Sequence, residues 1–202
     1  EALNSPEAQL WQAAIAEELA SLRDNDVYEV THLPEGKRAI GCKFVFKVKR
    51  NADGSVNCHK TRLVAKSYSQ VDGVDFTETF APVVKFNSLR AVLSIAAMRD
   101  MEIHQIDVKT AFLNGELEEE IYLEQPEVFS QADNRVWRLK KSLYGLKQAP
   151  RALVKTLDHQ LRNLGFLSLA ADNSLYRRSN CGETAFIAVY VDDLILYGTE
   201  TG

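Results

Sequence analysis

The chain is 202 residues long, 46% apolar and 26% charged, with a formal net charge of −4. This composition excludes a disordered or fibrous chain and allows one cored domain, or two lobes sharing a sheet. No apolar run approaches the roughly 20 residues of a membrane-spanning helix, and no basic-then-apolar leader opens the sequence, so a soluble, intracellular chain with no membrane partner is expected.

Ser5, Pro6 and Glu7 carry the signals of a helix start, with Ser5 as the cap and Pro6 at the first helical position. Trp11, Ile15, Leu19 and Leu22 then share one face, and Asp24 to Asp26 end the helix. From Gly41 to Lys49, Cys42, Phe44, Phe46 and Val48 alternate with Lys43, Lys47 and Lys49, the pattern of a strand with one apolar and one cationic face. Asp53 and Gly54 supply a turn, and a returning strand over about 55–66 brings Lys60, Arg62 and Lys66 back as the second arm of a basic hairpin. Residues 70–84 read as an ordered loop, and Asn87 or Ser88 caps a helix whose Leu89, Val92, Leu93 and Ala96 face the core.

Met101 to Val108 reads as a strand running into a helix, with Asp107 at the junction; a helix-capping aspartate is the plain structural alternative. Thr110 to Phe112 begin a short element that Asn114 and Gly115 stop. Residues 116–127 are acidic around a strand at Ile121 to Leu123, and a further strand covers Val136 to Leu139. Pro150 opens a helix carried by Leu153, Leu157, Leu161 and Leu164 and closed near Gly165, and Asp172 to Arg178 form another strand. Two apolar runs between Thr184 and Tyr197 flank Asp192 and Asp193, which predicts a β-hairpin with both carboxylates at its tip. Two like charges make a poor turn unless a divalent cation joins them, and Asp107 is the best candidate for a third oxygen ligand. Interleaved strand and helix signals with hairpins predominating give an α+β fold.

The charge is uneven. Lys37 to Lys66 contain nine Lys/Arg and one acid, Asp53, a local net of +8 that leaves −12 for the rest, and Arg135 to Lys155 add seven basic residues with no acid. Two basic segments around an acidic centre suit a phosphate backbone and a metal site; solvated strand faces are the plainer account. Cys42, Cys58 and Cys181 lack metal-ligand spacing and are expected to be reduced, mostly buried thiols.

Tyr190-Val191-Asp192-Asp193 resembles the palm signature of reverse transcriptases, and four further blocks, in Lys60–Lys66, Phe76–Val84, Gln105–Gly115 and Ser142–Arg151, resemble the copia-type retrotransposon branch over nearly the whole chain. The resemblance implies a reverse-transcriptase palm, an antiparallel sheet backed by helices, with a fingers β-hairpin and the thumb missing. The segments it implies are approximately 1–100 fingers-rich, 101–140 palm, 141–170 fingers/palm helix and 171–202 palm hairpin. It further implies RNA-directed DNA polymerisation by two-metal phosphoryl transfer of dNTPs onto a primer 3′-hydroxyl. Asp107, Asp192 and Asp193 would be the catalytic acids, and with the Val108 carbonyl they would hold two Mg²⁺ ions, Mn²⁺ being an alternative. Arg62, Lys60, Phe112 and Gln148 would bind the nucleotide, Phe112 by standing under its sugar, although simple core packing also accounts for a phenylalanine there. Tyr190 would touch the primer. The implied partners are an RNA template, a DNA or RNA primer, and a thumb or RNase H segment of the same polyprotein, with localisation in a cytoplasmic virus-like particle or the nucleus. Ser67, Phe44, Val128 and Leu153-Val154 depart from the family's habit, and Ser67 is expected to strain a loop that usually holds glycine. A co-opted, non-catalytic copy that binds nucleic acid or protein is the second reading.

Overall fold

A computed structural model describes residues 2–126, 135–180 and 183–199; Val128 and Cys181 lie outside them. In chain order the main elements are α1 (Ala8–Asp24), β1 (Tyr28–His32), β2 (Ala39–Ile40), β3 (Cys42–Arg50), β4 (Val56–Ala65), α2 (Phe86–Met98), β5 (Glu102–Asp107), β6 (Glu116–Glu124), β7 (Arg135–Lys141), α3 (Ala149–Asn163), β8 (Leu167–Leu169), β9 (Asp172–Asn180), β10 (Glu183–Tyr190) and β11 (Asp193–Gly198). They divide into two compact units, Glu1–Thr79 with Phe112–Ala149, and Phe80–Ala111 with Pro150–Gly202. Each unit has its own sheet, and the division falls inside the expected 101–140 segment, between residues 111 and 112.

In the first unit a four-stranded sheet runs in the order β1-β7-β6-β2, and β3 and β4 form a separate antiparallel hairpin. Trp11, Ala14, Ile15, Leu19 and Leu22 form the buried stripe of α1. Ser5 does not cap this helix: its hydroxyl donates to the Ala2 carbonyl at 2.7 Å, closing a turn ahead of the helix, which starts at Ala8. Leu22, Leu63, Leu113, Ile121, Leu123 and Trp137 meet in one core, where each fully buried aliphatic side chain contributes about 1.5 to 3 kcal/mol. The hairpin register sets Val45 opposite Arg62 and Lys47 opposite Lys60, so the expected two faces form. Lys43, Lys47 and Lys49 are exposed beside half-buried Lys60 and Arg62, while Phe44 and Phe46 turn to the core and Trp11 meets Phe46 edge-on at 5.3 Å.

The second unit is built on a five-stranded, wholly antiparallel sheet ordered β5-β11-β10-β9-β8. The alternation in β10 and β11 sends Phe186, Ala188, Ile195 and Tyr197 into a cluster with Val92 and Ala96 of α2. Ile187, Val189, Leu194 and Leu196 go to the other face, with Leu157 and Leu161 of α3. Helix α2 starts one residue before the expected caps. The side chain of Asp172, from β9, accepts the Lys85 amide at 2.8 Å and the Ser174 amide at 3.1 Å. Burial works against its ionisation, but hydrogen bonds from Ser88, Lys85 and Ser174 outweigh it and hold the carboxyl below its usual range. Leu93 and Leu164, expected in the core, are 40% and 61% exposed.

Two smaller expectations are corrected. Cys58 is exposed, because it lies near the turn end of the hairpin, and Cys42 is half-buried at the edge of the first unit's core, packed against it with Phe44 and Phe46. Ser67 opens a short 3₁₀ turn (Ser67–Ser69) and is not among the residues with positive φ, so it needs none of glycine's freedom. Leu153, where the family usually has an aromatic, is 4% exposed and serves as packing. Among the described residues no helix is long and apolar enough to cross a membrane.

Candidate active site

The hairpin of β10 and β11 turns through Val191 and Asp192, because Tyr190 pairs with Asp193. Asp193 is therefore the first residue of a strand and not part of the tip, as the sequence had implied. The positive φ that a two-residue turn demands falls on Val191, at +58°, a conformation a β-branched residue rarely accepts. Such strain persists where the surrounding structure holds it, and here β10 and β11 pair on either side.

Strand β5 lies along β11 with Asp107 opposite Asp193, Gln105 opposite Ile195 and Ile103 opposite Tyr197. Residues opposed across antiparallel strands project from the same face, with Cβ atoms about 4.5 to 5.5 Å apart. Past the last pair, the Val108 amide donates to the Asp192 carbonyl at 3.0 Å and ties the end of β5 to the turn. Asp107 caps no helix: Val108 to Thr110 intervene before the 3₁₀ turn Ala111–Asn114, and Thr110 has φ +51°. Asp107 is exposed and Asp192 and Asp193 half-buried, and no ion pair or side-chain hydrogen bond among the described residues engages their carboxylates. Tyr190, 56% exposed, stands beside Asp193 on the same face. A cavity of about 310 Å³ lined by Val84, Phe86, Leu89, Gln105, Tyr190 and Asp193 adjoins it.

The donors fit a hard divalent cation: carboxylate oxygens with backbone carbonyls nearby and no soft ligand. Among the described residues no three His, Cys, Asp or Glu side chains form a ready-made metal cage. Mg²⁺ does not require one, since it is commonly held by one or two carboxylates, with water and substrate phosphates completing the shell.

The expected nucleotide-binding residues all lie in the first unit. The Arg62 guanidinium lies over the Tyr144 ring, 4.7 Å from its centre, and Phe112 meets the same ring edge-on with centroids 4.9 Å apart. Lys60 is two residues along β4, on the same face as Arg62. Glu18 of α1 accepts the Leu63 amide at 2.9 Å. Burial raises its pKa, although that hydrogen bond and the positive charges of Arg62 and Lys60 work the other way. Gln148 is only 2% exposed. Its amide donates to the Asp75 carbonyl at 2.8 Å and its carbonyl accepts from Gln70 at 3.0 Å. The sequence reading did not single out Tyr144 or Gly145, although they sit inside one of the quoted blocks. The signal was the glycine, whose φ of +90° and crowded surroundings mark a close backbone crossing.

A family profile described as "Reverse transcriptase (RNA-dependent DNA polymerase)" matches residues 25–202. The chain is 44% identical over 205 residues to the retrovirus-related Pol polyprotein from transposon TNT 1-94 of Nicotiana tabacum, covering 100% of this chain and 15% of that protein. It is 39% identical over 202 residues to the corresponding polyprotein from transposon RE1 of Arabidopsis thaliana, covering 98% of this chain and 14% of that one. With transposon RE2 of the same plant the identity is 41% over 194 residues, 95% of this chain and 13% of the relative. The chain belongs to the reverse transcriptase family, as a reverse transcriptase domain of the copia-type retrotransposon Pol polyproteins.

Proposed function

We propose that this chain carries out RNA-directed DNA polymerisation, joining dNTPs to the 3′-hydroxyl of a DNA or RNA primer paired to an RNA template. The observation that carries this reading is the opposition of Asp107 and Asp193 across β5 and β11, next to Asp192. Three carboxylates gathered at one end of a sheet, with no ion pair to them among the described residues, weaken the free chain. They suit a chain that takes up divalent cations together with a phosphorylated substrate. In this reading the five-stranded sheet is the palm and the β3–β4 hairpin belongs to the fingers. Asp107 and Asp192, with the Val108 carbonyl, would hold two Mg²⁺ ions, or Mn²⁺ in their place, and Asp193 would support them. When bound, the metal stabilises the charge that passes from the attacking hydroxyl to the pyrophosphate leaving group.

The remaining groups bind and orient. Arg62 offers forked donors to the triphosphate, with Lys60 beside it. Phe112 stands against the sugar, and Gln148, buried and bonded to Asp75 and Gln70, would meet the nucleotide only once those neighbours part. Tyr190, exposed beside the acids, meets the primer terminus. The exposed lysines of β3 take backbone phosphates, so base pairing reads the template and the protein reads its shape. The chain spans about a seventh of each plant transposon polyprotein named above, and thumb and RNase H segments of one polyprotein are proposed as partners. Primer extension on a primed RNA template with dNTPs and Mg²⁺ tests the reading. Incorporation that a chelator stops is expected; a folded chain that binds primer-template yet adds no nucleotide contradicts it and favours a non-catalytic copy.

A further inference from the structure

Tyr144 belongs to none of the groups assigned above, yet it touches two of them. The Arg62 guanidinium covers its ring at 4.7 Å, and Phe112 meets that ring at 87° with centroids 4.9 Å apart. The ring's place is set by the backbone. The Tyr144 carbonyl accepts the Ala65 amide at 2.8 Å, and at Gly145 an added Cβ would come within 2.4 Å of the Ala65 carbonyl oxygen. Arg62 and Ala65 both lie on β4, so one crossing locates the guanidinium and the ring that supports it.

A free arginine side chain explores many rotamers, and fixing it costs conformational entropy. A ring already held under the guanidinium removes part of that cost, and its face attracts the cation. We propose that Tyr144 is a positioning residue for the incoming nucleotide: a plate that holds the Arg62 fork flat for the triphosphate and sets the Phe112 ring against the sugar. Tyr144 thereby couples triphosphate capture to sugar selection. This rests on the reading of Arg62 and Phe112 as nucleotide contacts.

The test is binding of the next correct dNTP, and of the matching rNTP, to the chain on a dideoxy-terminated primer paired to RNA, with Mg²⁺. Wild type is compared with Tyr144→Leu, Tyr144→Phe, Tyr144→Trp, Arg62→Ala and the Arg62→Ala/Tyr144→Leu double variant. Loss of an aromatic face under a guanidinium corresponds to about 2- to 30-fold in binding. Tyr144→Leu is expected to weaken dNTP binding by about that factor and to narrow the dNTP-to-rNTP ratio. Tyr144→Phe and Tyr144→Trp, which keep a ring, should keep both, and the double variant should lose clearly less than the product of the two single losses. Should Tyr144→Leu fold poorly, the Trp and Phe variants still decide, because lost binding in either, with an unchanged melting transition, overturns the plate. Tyr144→Leu binding like wild type while Arg62→Ala is weakened, or losses that multiply in the double variant, also overturns the positioning role and leaves the polymerase reading standing. If wild type does not favour the template-matched dNTP, or Arg62→Ala binds as wild type does, the polymerase reading falls and the role of Tyr144 falls with it.

Discussion

Asp107 and Asp193 stand opposite each other on adjacent antiparallel strands, at the end of the sheet where the Val108 amide bonds to the Asp192 carbonyl at 3.0 Å. Like charges so placed destabilise a sheet by roughly 0.2 to 1 kcal/mol. The neighbouring turn adds a valine at φ +58°. Cost and strain thus concentrate at the residues assigned to chemistry, as expected where function rather than stability sets the residue type.

Removing one of the two charges should stabilise the metal-free chain. Asp193→Asn is expected to raise the free energy of unfolding in urea by about 0.5 kcal/mol without Mg²⁺ and to reduce the extra stability gained on adding Mg²⁺. A loss of stability in the metal-free variant would mean that the two carboxylates do not repel.

The two glycines Gly54 and Gly145 separate backbone conformation from crowding. Both have positive φ, +85° and +90°, but an added Cβ at Gly54 meets nothing within 4 Å, whereas at Gly145 it meets backbone at 2.4 Å. Gly54→Ala should therefore cost only the left-handed penalty, about 1 kcal/mol, and Gly145→Ala at least about 2 kcal/mol more. Equal losses in thermal or urea unfolding would refute the close crossing of the Tyr144 loop over β4.

The cationic face of the hairpin makes a prediction about salt. Each phosphate neutralised contributes a slope of about 0.7 to 0.9 in log affinity against log salt. Replacing Lys43, Lys47 and Lys49 together by alanine should flatten the primer-template salt dependence by about 2 to 3 in that slope. An unchanged slope removes this face from the nucleic-acid interface.

Phe112 is half-buried against Tyr144, and its two accounts predict different outcomes. If its ring bounds the sugar, Phe112→Val should admit ribonucleotides while dNTP use is comparatively intact. If it is packing alone, the variant should lose roughly 1 to 3 kcal/mol of stability and weaken use of both sugars together. The ratio of rNTP to dNTP incorporation under one Mg²⁺ concentration decides.

Much of this was legible in the chain because period and charge agreed. The alternation Cys42 to Lys49 against Lys60 and Arg62 specified both faces of the basic hairpin, and the apolar runs on either side of Asp192 specified β10 and β11. The turn itself was misplaced by one residue. Acidic residues suggest a loop, and nothing local announces that Val191 will accept a positive φ that pairing of the flanking strands imposes. The two-residue β2 and the three-residue β8 went unseen because each is too short to display a period, whereas the five-residue β1 went unread although Tyr28, Glu29, Val30 and Thr31 alternate. The capping of α2 by Asp172 and the stacking of Arg62 on Tyr144 join residues 87 and 82 positions apart by number, and a local pattern carries no trace of either.

The most direct measurement is single-turnover addition of the template-matched dNTP to a primer on RNA, with Mg²⁺, by wild type, Asp107→Asn and Asp192→Asn at matched folding and primer-template affinity. Each substitution keeps size and removes one negative oxygen, so both variants should lose at least about a hundredfold in rate, a barrier increase of about 2.7 kcal/mol, with primer-template binding retained. Either variant adding nucleotide at the wild-type rate would contradict the assignment of Asp107 and Asp192 as the acids of a reverse transcriptase site.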